Sequence, residues 1–127
     1  MSGQQPASGS CLCGKVTIEA TFVKLHVVSC HCCICRKWSS GPLLSLDGGV
    51  DVVIGGDMFI SRFSSSESAE RSFCKYCGTH LFCLLKKSGR HLISAGLIDE
   101  DIDLVMSHQV FIDDKPEYYS FCYGTEI

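Results

Sequence analysis

Polar and apolar residues alternate one for one along Lys15-Val16-Thr17-Ile18-Glu19-Ala20-Thr21-Phe22, the period of a strand with one face buried. The pattern predicts that Val16, Ile18, Ala20 and Phe22 face inward. Short apolar or β-branched runs follow at 25–29, 43–46, 50–54, 58–63, 69–73, 79–85, 91–95 and 105–112. Asp47-Gly48-Gly49 and Gly55-Gly56-Asp57 punctuate them as turns, as do polar or charged stretches at 64–68, 86–90 and 99–103. No window of a dozen residues carries a 3.6-residue stripe; residues 36–41 read as a helical turn that Pro42 stops. The expected class is all-β, with short antiparallel strands curled over a shared core so that few edges stay open.

At 127 residues and 46% hydrophobic, the chain fits one domain, taken as residues 9–127 after a disordered leader at 1–8. The first ten residues have neither a basic start nor an apolar run and do not read as a secretory signal. No stretch approaches the ~20 apolar residues of a membrane span, so the expectation is a soluble, cytoplasmic protein without a membrane partner. In a reducing compartment the ten cysteines point to metal rather than disulfides. A closed four-thiolate zinc and an open three-thiolate zinc add -2 and -1 to the formal charge of -3, giving -6 for the loaded chain. That balance, with no long basic block, argues against nucleic acid as a partner.

Cys74-x-x-Cys77-Gly78 has the form of a zinc knuckle, two thiolates across a tight turn with a glycine where the backbone bends back. Cys11-x-Cys13-Gly14 is the matching half, about sixty residues away, so that a metal on all four sulfurs clips the first strand to the middle of the fold. A redox role for the CxxC pair needs a βαβ setting, which is missing here. The stretch Cys30-His31-Cys32-Cys33-Ile34-Cys35-Arg36-Lys37-Trp38 is the densest in chemistry. In an extended entry Cys30 and Cys32 share one side, and a tight turn brings Cys35 to them as a three-thiolate cup, an open metal site. Alternation aims His31 away, although as a ligand it closes the site. Cys33 leaves Cys30/Cys33 and Cys32/Cys35 open as competing redox pairs. Arg36 and Lys37 are candidate substrate-binding cations, which Lys86, Lys87 and Arg90 join if their turn lies over the cup. Trp38 is either a pocket wall or core. Cys83 and Cys122 read as core, and His26, His80, His91 and His108 as structural or surface residues.

The order Cys-x-Cys-Gly, Cys-His-Cys-x-x-Cys-Arg-Lys, Phe-Cys-x-x-Cys-Gly-Thr, followed by His108 to Phe111 and Lys115-Pro116-Glu117-Tyr118, resembles the glutathione-dependent formaldehyde-activating enzyme family, which includes centromere protein V. The resemblance spans residues 9–119. It implies a β-tent fold, a structural zinc on Cys11, Cys13, Cys74 and Cys77, and a second zinc on Cys30, Cys32 and Cys35, hence two Zn2+ per chain. It also implies carbon-sulfur lyase chemistry in which glutathione and formaldehyde combine reversibly as S-hydroxymethylglutathione, with Cys30, Cys32 and Cys35 catalytic as ligands of the open zinc. The alternatives are a zinc-stabilised binding module without catalysis and a thiol- or redox-responsive zinc protein, and the fourth position of the second zinc discriminates among them.

Overall fold

The alternating run at the start of the chain forms the middle of a small antiparallel sheet in the computed structural model, which describes residues 4–121. Strand β2 (Thr17–Lys24) lies between β1 (Gln4–Ser10) and β5 (Val52–Gly55). Val16, Ile18 and Ala20 are buried as the alternation requires, but Phe22 is 57% exposed and Val23 takes the inward place. The pairing explains the exchange. Gln5 faces Val23 and Ala7 faces Ala20, so β2 carries one extra residue there, and a bulge flips every side chain beyond it to the opposite face.

The leader expectation fails from Gln4 onward, because Gln4–Ser10 is β1. Its residues are small or polar and show no hydrophobic run; its order comes from pairing with β2 and from Ser8, whose N–H and hydroxyl both donate to the Glu100 carboxylate, the former at 2.8 Å.

The remaining strands are β3 (His26–Cys30), β4 (Leu43–Asp47), β6 (Ile60–Ser64), β7 (Ala69–Cys74), β8 (His80–Leu85), β9 (His91–Ser94) and β10 (Val105–Val110). They form a second sheet in the order β10-β3-β4-β9-β8-β7-β6. All its pairings are antiparallel except β10 on β3, which is parallel and sets the last strand among the described residues beside the cysteine-rich stretch. Met58 and Phe59, expected in a strand, form a 3-10 turn at Asp57–Phe59 before β6 begins. Val16, Ile18, Ala20 and Val23 from the small sheet meet Leu46, Leu81, Phe82 and Ile93 from the large one as the core. Cys83 is buried as expected, while Cys122 lies outside the described residues.

Among the described residues, one α-helix interrupts the β structure. Helix α1 (Cys33–Ser39) starts three residues before the turn expected at 36–41. Its N-cap is Cys32, whose sulfur accepts the Cys35 N–H at 3.3 Å, a thiol in a role usually filled by Ser, Thr, Asp or Asn. Ser40 closes the helix in the left-handed region, its N–H donating to the Arg36 carbonyl at 2.7 Å. Among the described residues no helix is long and apolar enough to cross a membrane.

Candidate metal centres

Two hairpin-like arms carry the first cluster, one leading from β1 into β2 and the other joining β7 to β8. Gly14 (φ +81°) and Gly78 (φ +78°) supply left-handed backbone just past each cysteine pair. The sulfurs of Cys11, Cys13, Cys74 and Cys77 all lie within 4.8 Å of one another. Cys13 Sγ is 3.6 Å from Cys11 Sγ and 3.7 Å from Cys74 Sγ. A tetrahedron with zinc-sulfur bonds of about 2.3 Å has edges of about 3.8 Å, so the cage already has the dimensions for zinc. The sulfurs also receive oriented donors: the Val16 N–H reaches Cys11 at 3.3 Å and the Tyr76 N–H reaches Cys74 at 3.4 Å. Cys77 contacts the Thr79 hydroxyl at 3.1 Å, and that bond is the leading cause that pulls its thiol down to about 5. Such donors hold ligand orientation around a metal.

The second cluster forms where β3 runs into α1. Cys30 is the last residue of β3, Cys32 the N-cap and Cys35 in the first helical turn, and their three sulfurs lie within 4.8 Å of one another. Three soft thiols converging on one point suit zinc or a similarly thiophilic ion. Within the set the thiols divide their protons unequally. The hydrogen bond from Cys30, aided by Arg71, draws Cys35 down to about 5, and Cys30 is pushed up by the same bond and by burial.

His31 is not in the cluster. It is fully buried and turned the other way, with Nε2 3.0 Å from Gln109 Oε1 and Nδ1 2.8 Å from the Tyr119 hydroxyl. Since Gln109 Oε1 accepts, Nε2 carries the proton and Nδ1 accepts from Tyr119. Cys33 is also outside the cluster; it is exposed at the start of α1, and all nine cysteines among the described residues are free thiols. Of the candidate cations, Arg36 donates its Nε to the His31 carbonyl at 2.9 Å, and Lys37 is exposed on α1. Arg90 is committed to Asp47 at 3.0 Å, and Lys86 donates to Ser64 and to the Ser66 carbonyl.

The cation that does reach the cup is Arg71, which the sequence reading did not select. It is 6% exposed on β7, and both its terminal nitrogens are 3.5 Å from Cys35 Sγ. Its guanidinium stacks over Trp38 at 5.1 Å, and Trp38 in turn lies flat on His80 with ring centres 4.1 Å apart. Burial, then the charge of Arg71, lowers His80 and favours its neutral form. A signal was present: in Ala69-Glu70-Arg71, Arg71 shares the strand parity of Ala69, so a charge is directed inward where an apolar residue is expected. Trp38 proves to be a wall. On its side of α1 it lines an apolar cleft of about 440 Å³ together with Ile34, Phe63, Arg71 and Phe73. A more polar cleft of about 710 Å³, bordered by Ser39, Thr79 and its stacking partner His80, lies near the first cluster.

Residues 6–114 match the family model described as glutathione-dependent formaldehyde-activating enzyme. An uncharacterised lyase of Schizosaccharomyces pombe is 32% identical over 120 residues, covering 94% of this chain and 88% of that protein. A Podospora anserina protein assigned by name to glutathione-dependent formaldehyde activation is 32% identical over 102 residues, 72% of this chain and 47% of its own length. The crystal structure of a Rhodobacter sphaeroides protein superposes with a TM-score of 0.63 at 20% identity, covering 80% of this chain and 98% of that one.

Proposed function

The chain belongs to the glutathione-dependent formaldehyde-activating enzyme family, and from that premise we propose that it is a zinc-dependent carbon-sulfur lyase acting on S-hydroxymethylglutathione. The observation that carries the reading is the three-sulfur cup of Cys30, Cys32 and Cys35, with His31 turned into a separate hydrogen-bond network instead of closing it. In this reading Cys11, Cys13, Cys74 and Cys77 hold a structural zinc and the cup holds the second. A zinc held by three thiolates supplies a soft centre that keeps an entering thiol deprotonated at neutral pH.

The chain's own residues do the rest. Arg36 and Lys37 follow Cys35 directly and offer two cations to the carboxylates of glutathione. Arg71, with both terminal nitrogens on Cys35 Sγ, helps hold that sulfur as an anion and fixes its position. Addition forms the carbon-sulfur bond as the carbonyl double bond opens onto oxygen, and the proton lost by the thiol ends on the new hydroxyl. Cleavage is the reverse.

Titration calorimetry compares reduced glutathione with S-methyl glutathione on the zinc-loaded protein. The reading predicts that methylation weakens binding at least tenfold, because the sulfur can no longer enter the cup as an anion. Equal affinity removes the thiol from the cup.

A further inference from the structure

Two cations border one apolar cleft. Ile34, Lys37 and Trp38 are spaced three and four residues apart on α1, so they share a helical face, and that face forms one side of the 440 Å³ space. The β6–β7 hairpin forms the other side. Phe63 is the cross-strand partner of Arg71, and Phe73, two residues further along β7, has the same strand parity as Arg71. Cys33, one turn before Lys37, and Ser65, just past β6, complete the lining.

The charges in this lining are of one sign. No carboxylate borders the cleft, and the ion pairs among the described residues join Lys24 and Arg90 to Asp47, and Arg62 to Asp57 and Glu70, leaving out Lys37 and Arg71. Ser65 steadies the guanidinium: its hydroxyl accepts the Arg71 Nε–H at 3.1 Å and donates to the Ala69 carbonyl at 3.3 Å. A guanidinium has five N–H groups. Cys35 and Ser65 take three of them, so two remain on a side chain only 6% exposed. Unmet donors on a buried cation are costly and call for an anionic oxygen. Cys35 offsets part of the Arg71 charge, and Lys37 adds a second cation, so the lining stays positive as a whole.

The walls call for carbon. Ile34, Trp38, Phe63 and Phe73 enclose a volume within the ~300–1,000 Å³ typical of small-molecule sites. An uncharged apolar molecule leaves both cations unanswered, and a small hydrophilic anion leaves the rings facing water. A carboxylate on an apolar body meets both demands: its oxygens take the Arg71 donors and the Lys37 ammonium, and its body packs on the rings. One negative charge fits better than two, because a cup sulfur already shares Arg71.

We propose that the cleft between α1 and the β6–β7 hairpin binds small organic monocarboxylates bearing an aromatic or branched aliphatic group, with Lys37 and Arg71 on the carboxylate and Trp38, Phe63 and Phe73 on the body. No cup sulfur lines the cleft, and no bond is made or broken there. The inference therefore goes beyond the lyase reading, and its test does not depend on that reading.

Trp38 is the chain's one tryptophan and lines the cleft, so its fluorescence reads occupancy. The probe is phenylacetate, titrated into the zinc-loaded protein, with 2-phenylacetamide as the uncharged control, acetate as the control without a ring and benzylphosphonate as the dianion. The expected result is saturable binding of phenylacetate at least tenfold tighter than that of the amide or acetate. Phe63→Ala, at a site 63% exposed, and Lys37→Gln, on the exposed side of α1, each weaken phenylacetate at least threefold while the melting temperature holds. Phe22→Ala, at an exposed site on the small sheet, leaves it unchanged. Equal affinity for phenylacetate and the amide overturns the anion site. Phenylacetate binding that neither Phe63→Ala nor Lys37→Gln weakens places the ligand elsewhere and overturns the cleft assignment. Tighter binding of benzylphosphonate overturns the monocarboxylate class.

Discussion

Cys35 sits at the meeting point of two demands. It closes the cup with Cys30 and Cys32, and it is the anionic partner of the buried Arg71. Cys35→Ser therefore loses a soft ligand and leaves Arg71 with a hydroxyl in place of a thiolate. The expected cost is about 1–3 kcal/mol, which a folded domain with ~5–15 kcal/mol in hand survives. Cys77→Ser removes one corner of a closed cage that links arms more than sixty residues apart, at a cost on the order of 10 kcal/mol. Elemental analysis with thermal melts separates the two: about two zinc ions per chain in the wild type, one in a folded Cys35→Ser, and no cooperative melt for Cys77→Ser. The reverse order of damage exchanges the structural and functional roles of the sites.

Asp47 offers a test of a different residue. Burial pushes its carboxyl up, but the hydrogen bond from Arg90, the Gly49 N–H and the charges of Arg90 and Lys24 outweigh burial and hold it below its ordinary value. A carboxyl lowered in the folded state stabilises above its unfolded pKa of ~3.9, and loses that contribution as pH falls through the lower folded value. Asp47→Asn should cost about 1 kcal/mol at pH 7, discounted for its partly exposed partners. The gap in Tm to the wild type should stay constant between pH 7 and pH 5; a gap that closes within that range contradicts the assignment.

At the scale of elements, α1 and the bulge in β2 mark where the sequence stops being legible. Strand runs stand out because alternation is a local signal, and all nine of those read from the sequence fall close to observed strands. Phe22 does not follow, because a bulge is decided by the partner strand, and nothing in Thr21-Phe22-Val23 announces which of two apolar neighbours turns inward. The start of α1 is hidden because its cap is a cysteine, and β1 is hidden because its order comes from Ser8, Glu100 and β2 rather than from its own residues. The cup and the four-sulfur cage are legible because ligand spacing is local within each pair, whereas Arg71 arrives from another strand. Ser40 ends α1 at φ +69°, a conformation that costs a residue with a Cβ about 1–2 kcal/mol. Ser40→Gly should raise stability by roughly 0.5–1 kcal/mol after the entropy of glycine is counted. Denaturant unfolding with an unchanged m-value checks it.

For the whole molecule, the two clusters divide the work by their position in the fold. The four-sulfur cage ties the entry to the small sheet onto the β7–β8 turn of the large one, while the cup lies where β3, α1, β10 and the Arg71 side chain converge. A metal held by the four-sulfur cage would thus be separate from the one proposed to meet substrate, and the second could exchange ligands without loosening the first. The measurement that tests the central claim most directly is exchange NMR on 13C-formaldehyde and glutathione at equilibrium. It reads the rate of interconversion with S-hydroxymethylglutathione above the uncatalysed background. The account predicts an exchange rate that rises in proportion to zinc-loaded protein and returns to background with Cys35→Ser. A rate that stays at background with the wild type fully loaded contradicts it and leaves a zinc-stabilised binding module.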